Sequence, residues 1–140
     1  MKFLMLYTPA KKTAAPTPEA FAAMGAFIEK SLKDGVLVWT EGLAPGSQGA
    51  RVERAGAEVT VKDGPFAEAK EVIGGFALIN ARSMQEAIGH AREFLGVAGD
   101  GVTEIHRVAE ASDFDQASFT PEEQAREAKW REQMQAQAGK

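Results

Sequence analysis

The sequence predicts one α+β domain with a ferredoxin-like βαββαβ order of elements, an inserted β-hairpin and a helical extension at the C-terminus. Short apolar runs alternate with two amphipathic helical stretches, and a hairpin pattern lies between the second core strand and the next one. The length of 140 residues suffices for one hydrophobic core. We expect the domain at residues 1–109 and the extension at residues 110–140.

Six short segments have the composition of strands. They lie at residues 3–7, 36–39, 51–54, 57–62, 72–80 and 102–108. The third and fourth segments flank Ala55 and Gly56, and Val59 and Val61 alternate with polar residues in the second arm. This pattern predicts the hairpin. The first, second and fifth segments are apolar on both parities, which is typical of strands that are covered on both faces.

Three helices begin at N-capping residues, namely Thr17, Ser83 and Thr120, and Ser83 forms a capping box with Glu86. Gly35 is suited to the left-handed end of the first helix. The predicted buried stripe of that helix consists of Phe21, Met24, Ile28 and Leu32. The stripe of the second helix consists of Met84, Ala87, Ile88, Ala91, Phe94 and Leu95, and a loop is expected at residues 96–101.

Two core helices cover one face of such a sheet, yet several of its strands are apolar on both faces. We therefore expect a second copy of the chain to cover the other face, sheet against sheet, which makes the protein a homodimer with a binding cavity between the sheets. The third helix is polar and has little apolar surface of its own. The large apolar side chains of the extension are expected to dock on the partner subunit; they are Phe114, Phe119, Trp130 and Met134. A solvent-exposed extension with scattered apolar residues is the alternative.

A charged turn between two apolar strands is the most specific motif of the chain. It is carried by Asp63, Gly64, Pro65, Phe66, Glu68, Lys70, Glu71, Gly74 and Gly75. The motif resembles the signature of YCII-related proteins of the DGPF type. Residues 1–6, 41–43 and 104–108 are similar to that family as well. The resemblance implies a dimeric α+β barrel, and it implies no particular reaction, because the family as a whole has no settled activity.

The cluster of Asp63, Glu68 and Lys70 is the candidate catalytic group. Carboxylates near a lysine at a barrel mouth can exchange a proton with a bound molecule, since burial and repulsion shift a carboxylate pKa. A turn stabilised by Asp63, with Glu68 exposed and Lys70 paired on the surface, is the alternative. A strand glycine such as Gly75 usually marks a close approach by another backbone or a ligand.

Six further residues are candidates for ligand binding on the strands and the turn. They are Tyr7, Trp39, Phe66, Glu71, Phe76 and His106. His106 shares its strand parity with Glu104, so the two side chains form a candidate acid–base pair, although such a histidine is more often hydrogen-bonded within a strand. His90 is predicted on the polar, solvated side of the second helix.

Composition excludes several classes of function. The chain has no cysteine, and its two histidines lie in different elements, so no metal site is predicted. Nucleotide-binding glycine motifs are absent, and no cofactor is expected. The net charge of −4 argues against nucleic acid as a partner. No apolar run approaches the roughly 20 residues of a membrane span and no leader is recognised, so we expect a cytoplasmic protein without a membrane partner.

Two hypotheses of function follow. The first is a homodimer that binds a small organic molecule. This hypothesis leaves open whether the protein is a cofactor-free enzyme that uses the acidic cluster. The alternative is a non-enzymatic accessory or regulatory module, because proteins that this chain resembles are often encoded near sigma factors. A haem- or metal-dependent oxygenase lacks a convincing histidine ligand.

Overall fold

The computed structural model describes residues 1–10, 16–44, 49–63 and 73–140. These residues divide into two compact units, Met1–Val108 and Ala109–Lys140, and each is described on its own. The first unit contains six strands and two helices. The second contains a short 3₁₀ turn and one helix.

The first unit is built on a four-stranded antiparallel sheet. Its strands are β1 (Lys2–Pro9), β2 (Leu37–Gly42), β5 (Gly75–Asn80) and β6 (Gly101–Arg107), in the spatial order β2-β5-β1-β6. With helices after β1 and β5, this is the ferredoxin-like arrangement, so the predicted fold class is confirmed. The sequence expected a strand at residues 72–80; its first residue lies outside the described part, and β5 begins only at Gly75.

The inserted hairpin consists of β3 (Ala50–Ala55) and β4 (Glu58–Asp63), which form a separate two-stranded sheet. Gly56 turns the chain with a φ of +63°, a value that glycine adopts without strain. Val52 lies opposite Val61, and Val59 shares their face. All three valines are exposed, so one apolar face of the hairpin is without a cover among the described residues.

The two core helices begin at the predicted caps. In α1 (Pro18–Lys33) the Thr17 hydroxyl accepts from the amide of Ala20 at 3.1 Å, and Gly35 follows the helix with a φ of +72°. In α2 (Met84–Ala98) the Ser83 hydroxyl accepts from the amide of Glu86 at 3.1 Å. The loop predicted at residues 96–101 is wrong in part. The helix continues to Ala98 before the positive φ of Gly99 ends it, and β6 already begins at Gly101.

The hydrophobic core lies at one end of the sheet, where the odd-numbered residues of β1 meet α2. It consists of Phe3, Met5, Ile79, Ala81, Ala87 and Ala91. Phe3 lies opposite Ile79 of β5, and both face the two alanines of α2. The small helical residues bring α2 close to the sheet at this end.

Helix α1 packs less tightly, and it has no buried residue. The predicted buried stripe of α1 is therefore wrong at its ends: Phe21 is 66% exposed and Leu32 is 54% exposed. Met84 at the start of α2 is exposed as well. The physical reason for the loose packing of α1 is a cavity between this helix and the sheet, which is described in the next section.

The other face of the sheet carries the even-numbered residues of β1. Leu4 lies opposite Leu78 and His106, and Leu6 lies opposite Phe76 and Glu104. We call this surface the open face, because neither α1 nor α2 packs on it. The predicted second copy would cover it, and dimerisation stays a prediction.

The second unit begins with a 3₁₀ turn at Ala111–Asp113 and continues into α3 (Pro121–Ala138). The Thr120 hydroxyl accepts from the amide of Glu123 at 3.3 Å, as the capping pattern predicts. The rings of Phe114 and Phe119 pack with centroids 5.4 Å apart. Trp130, with the Arg126 guanidinium over its ring at 5.5 Å, is half exposed. Docking of this unit on a partner subunit stays a prediction.

No helix in the described part of the chain is both long and apolar enough to cross a bilayer.

Gly101 and Gly89 offer a matched test of the packing. A Cβ on Gly101 would lie 2.6 Å from the Thr8 carbonyl oxygen and 2.7 Å from Cε2 of Tyr7, whereas a Cβ on Gly89 of α2 meets nothing within 4 Å. We expect Gly101→Ala to lower the free energy of unfolding by about 1–3 kcal/mol. Gly89→Ala should raise it by about 0.5–1 kcal/mol, because alanine favours the helix. Urea unfolding of both variants measures the difference, and equal midpoints would contradict the close approach of β1 to β6 at Gly101.

Candidate functional site

A cavity of about 520 Å³ lies between helices α1 and α2 and the sheet. Its wall is mainly apolar. The apolar side chains that border it come from both helices and from three strands and include Met5, Phe21, Met24, Phe27, Ile28, Leu37, Ile79, Phe94 and Val97. A volume of this size is in the range of ligand pockets.

The cavity exists because the central strand β5 presents small residues toward the helices. Gly75 lies between Tyr7 of β1 and Gly42 of β2, and Ala77 lies between Met5 and Thr40. Opposite residues of an antiparallel pair point to the same face, so these rows face α1 and α2. Two glycines and one alanine leave the space that larger side chains would fill.

Gly75 also allows β2 to approach β5. A Cβ at this position would lie 3.0 Å from the carbonyl oxygen of Glu41 and 3.5 Å from the Cα of Gly42. The sequence-based expectation of a close backbone approach at Gly75 therefore agrees with the structure, and the approaching group is the edge strand. The same residue thus serves the sheet and the cavity.

Three aromatic rings form one side of the cavity. Tyr7 and Phe94 meet edge to face with centroids 5.0 Å apart, and Phe27 lies 6.3 Å from Phe94. Such contacts hold rings in fixed orientations. The Tyr7 hydroxyl is 3.5 Å from the carbonyl oxygen of Asp100, a long contact for a hydrogen bond, so this hydroxyl is only weakly engaged.

Two polar atoms in the wall are buried without a hydrogen-bond partner among the described residues, Nε2 of His90 and Oγ1 of Thr103. His90 comes from α2, and Thr103 comes from β6, where it lies opposite Tyr7. The prediction that His90 is solvated is wrong, because its side chain is only 24% exposed. His90 lies three residues after Ala87 and four residues before Phe94, and this spacing indicates a place in the buried stripe of α2.

Two charged groups at the cavity pair with each other, and a second ion pair lies beside His90. Lys30 Nζ contacts Asp34 Oδ2 at 2.9 Å, and this hydrogen bond raises the pKa of Lys30. The Nε2 atom of His90 lies 3.8 Å from Oε1 of Glu86. Arg82 donates to Glu86 at 2.8 Å, and this hydrogen bond lowers the pKa of Glu86 below its ordinary value. Glu86 is therefore held as a carboxylate next to the imidazole.

The structure brings few of the predicted ligand residues to this cavity. Tyr7 lines it. Phe76 borders it from β5, although the register gives its side chain the parity of the open face. Trp39 and His106 lie on the open face, opposite Leu78 and Leu4 respectively. His106 Nε2 contacts Oε1 of Glu104 at 2.7 Å, and both side chains are more than half exposed.

The candidate catalytic group falls largely outside the described residues. Phe66, Glu68, Lys70 and Glu71 belong to residues 64–72, which lie outside that part of the chain, and their roles stay predictions. Asp63 ends β4 opposite Ala50, and its side chain is not among those described. Within the described ranges, no group of three histidine, aspartate or glutamate residues is placed to hold a metal ion.

Comparison with known proteins identifies one family and one relative. The family model of the YCII-related domain matches residues 1–112. An uncharacterised protein of Rhizobium meliloti is 37% identical over 70 residues, which make up 50% of this chain and 56% of that protein. The match thus spans little more than half the length of this relative. The narrower DGPF type stays a prediction.

The pair of Arg82 and Glu86 makes a prediction about pH. Because the pKa of Glu86 is lowered in the folded chain, the pair stabilises the fold above the ordinary pKa of glutamate, and the stabilisation is lost as the pH falls through the lowered pKa. Arg82→Gln should therefore lower the urea midpoint slightly at about pH 7 and lower it less at about pH 3. An equal loss at both pH values would show that Arg82 acts through packing.

Proposed function

The chain belongs to the YCII-related family, and we propose that it binds a small, largely apolar molecule in the cavity between its two core helices and its sheet. The single observation that carries the proposal is the cavity of about 520 Å³. Elsewhere in the same unit Phe3, Ala81 and Ala87 are packed to burial. The cavity is partly open at the surface, so a ligand can enter it, and a ligand there would remove its apolar wall from water.

The composition of the wall supports a partly apolar ligand. The rings of Phe27, Phe94 and Tyr7 offer broad apolar contacts, and the weakly engaged hydroxyl of Tyr7 offers a polar contact. An apolar pocket with a small number of convergent polar groups is the usual form of a small-molecule site. The place differs from the predicted one, which was between two sheets, and its described lining comes from one chain.

Catalysis belongs to this proposal only through groups that can exchange a proton. His90 is suited to that role by its chemistry, with Glu86 held as a carboxylate nearby. The cluster of Asp63, Glu68 and Lys70 keeps its predicted role, because it lies in the segment that leads into Gly75 and the cavity. Binding is the activity that we propose, and the predicted cytoplasmic location stays a prediction.

We also propose that the open face is covered by a second copy of the chain. Two rows of paired residues cross the sheet on this face, and each has an apolar centre. Leu4 pairs with Leu78 in the first row, and Leu6 pairs with Phe76 in the second. At the rim, Trp39 is 46% exposed. An apolar centre within a polar rim is the usual anatomy of an interface.

A second copy is the occupant favoured by the distribution of charge. Glu41 and Glu104 lie at opposite ends of the row that contains Leu6 and Phe76. His106 lies at the end of the other row, beside Glu104. A two-fold axis through the face lets the apolar centres meet and leaves these polar ends at the rim, in solvent. The alternative, an accessory module, would instead present the open face to a different protein.

Ligand binding is tested with naphthalene as the probe. We expect naphthalene to bind to the wild-type chain, and we expect Ala77→Leu to lower its affinity about tenfold or more, because the added atoms point from β5 into the cavity. Probe fluorescence measures both. Ala125→Leu, at an exposed position of α3, is the matched control and should bind like the wild type. Equal affinity in Ala77→Leu, or no binding at all, would contradict the proposal.

The homodimer is tested by light scattering at micromolar concentration. The wild type should have twice the chain mass of 15.0 kDa. Leu6→Glu places a charge in the centre of the open face and should give a folded monomer. Gln85→Glu makes a comparable change at an exposed position of α2 and should remain dimeric. A monomeric wild type would overturn this proposal and favour the accessory role.

A further inference from the structure

The hydroxyl groups at the cavity differ in how they are bonded. Among the described residues, those that border the cavity belong to Tyr7, Ser31, Thr40 and Thr103. The Ser31 hydroxyl donates to the carbonyl of Phe27 at 2.8 Å, and the Thr40 hydroxyl donates to that of Phe76 at 2.9 Å. The oxygen of Thr103 is buried beyond the reach of a ligand. The Tyr7 hydroxyl therefore remains as the donor for a ligand.

The present contact of the Tyr7 hydroxyl is weak and can be exchanged. It lies 3.5 Å from the carbonyl oxygen of Asp100, beyond the usual range for two oxygens, and the contact is exposed rather than buried. The same carbonyl accepts from the amide of Ala10 at 3.1 Å. The carbonyl thus keeps a hydrogen bond when the hydroxyl turns toward a ligand, and the fold loses little.

The ring of Tyr7, by contrast, is held in place. It meets Phe94 edge to face at 5.0 Å, and the backbone at Gly101 packs so closely that a Cβ there would lie 2.7 Å from Cε2 of the ring. Across β5 the residue opposite Tyr7 is Gly75, whose missing side chain leaves the flank of the ring open toward the cavity. A fixed ring with a weakly bonded hydroxyl is a preorganised donor.

We infer that Tyr7 is the polar anchor of the cavity and that its ligand is a neutral, largely apolar carbonyl compound, whose oxygen accepts a hydrogen bond from the phenol. The inference rests on the proposed function and adds the chemical class of the ligand. The rings of Phe27 and Phe94 contact the apolar body of the ligand.

A carbonyl oxygen suits this anchor because a phenol donates more strongly than it accepts. The lone pairs of its oxygen are partly delocalised into the ring, whereas its hydrogen remains available. A ligand without an acceptor displaces water from the hydroxyl and leaves it unpaired, whereas a carbonyl takes the place of that water. The carbonyl ligand therefore binds more tightly than its size and polarity alone would give.

Charge at the cavity favours a neutral carbonyl over a carboxylate. Among the described lining residues, the carboxylates of Asp34, Glu41 and Glu93 outnumber the ammonium group of Lys30. That ammonium is engaged by Asp34 at 2.9 Å. A carboxylate on the ligand would also accept from Tyr7, but the acidic side chains would repel it.

The test compares 2-acetylnaphthalene with 2-isopropenylnaphthalene, in which a CH₂ group takes the place of the carbonyl oxygen. The two probes have nearly the same shape, so they differ in the acceptor. We expect Tyr7→Phe to weaken binding of the ketone about fivefold or more and to change binding of the alkene by less than about twofold. Equilibrium dialysis measures the four affinities.

Thr8→Val is the matched control. It removes a hydroxyl from the next residue of β1, which has the parity of the open face and does not line the cavity. Both probes should bind this variant like the wild type. A loss of ketone binding in Thr8→Val equal to that in Tyr7→Phe would overturn the inference, because the effect would not be specific to the phenol.

A second measurement needs no variant. The chain has one tyrosine, so a spectrum of protein labelled at the tyrosine Cζ carbon contains a single signal, which reports on the hydroxyl. The ketone should shift this signal more than the alkene does, because only the ketone accepts its hydrogen bond. If Tyr7→Phe fails to fold, this comparison decides, and equal shifts by the two probes overturn the inference.

The outcomes separate this inference from the proposed function. If both probes bind and Tyr7→Phe weakens them equally, or weakens neither, the cavity binds ligands without selecting a carbonyl, and the inference alone is overturned. Binding of the alkene without the ketone has the same meaning. If neither probe binds the wild type, the proposed function fails as well. A loss confined to the ketone supports the inference.

Discussion

The small size of the residues that β5 turns toward the helices is the constraint on which the rest of this structure depends. Gly75 and Ala77 lie in the middle of the sheet, between β2 and β1. Further along the same strand, Ile79 fills the corresponding space and is buried against Phe3. One strand therefore closes the core at one end and leaves it open at the other, and α1 rests over the open end without a buried residue.

The alternation of a β-strand separates the two surfaces of this sheet. Gly75 and Ala77 face the helices, whereas Phe76 and Leu78 face the other way. The large residues on the open face form an apolar surface on which neither α1 nor α2 packs. The small residues on the helix face leave room for the cavity. Because the two sets alternate on one strand, a change at the cavity and a change at the open face can be made independently. The proposed dimerisation and the proposed ligand binding can thus be tested separately.

The sequence predicted the fold well because the signals for it are local. Each of these signals determines the structure of only a few neighbouring residues. They are the caps at Thr17, Ser83 and Thr120, the apolar strands and the glycine of the hairpin. The cavity was not predicted in its observed place. It depends on which small residues lie side by side across three strands, and that register is set by the whole sheet. Gly75 was identified as a place of close approach, but the approaching group could not be.

The polar residues of the cavity show the same limit. His90 was assigned to solvent from its polarity, although its spacing to Ala87 and Phe94 placed it on the inner side of α2. Thr103 gave no signal, because an isolated threonine in a strand is common on either face. Tyr7 was identified because the one tyrosine of the chain closes the first strand, where its hydroxyl can donate to a ligand. Local periodicity therefore finds the elements, and only the packed sheet brings their side chains together.

The methionine methyl groups offer the most direct measurement of the central claim, that a ligand site lies between the helices and the sheet. Met5 and Met24 line the cavity, whereas Met1 and Met84 are exposed and do not line it. In a spectrum of methyl-labelled methionine, titration with naphthalene should shift the signals of Met5 and Met24 and leave those of Met1 and Met84 unchanged. Shifts confined to Met1 or Met84, or no saturable shift at Met5 and Met24, would contradict the account.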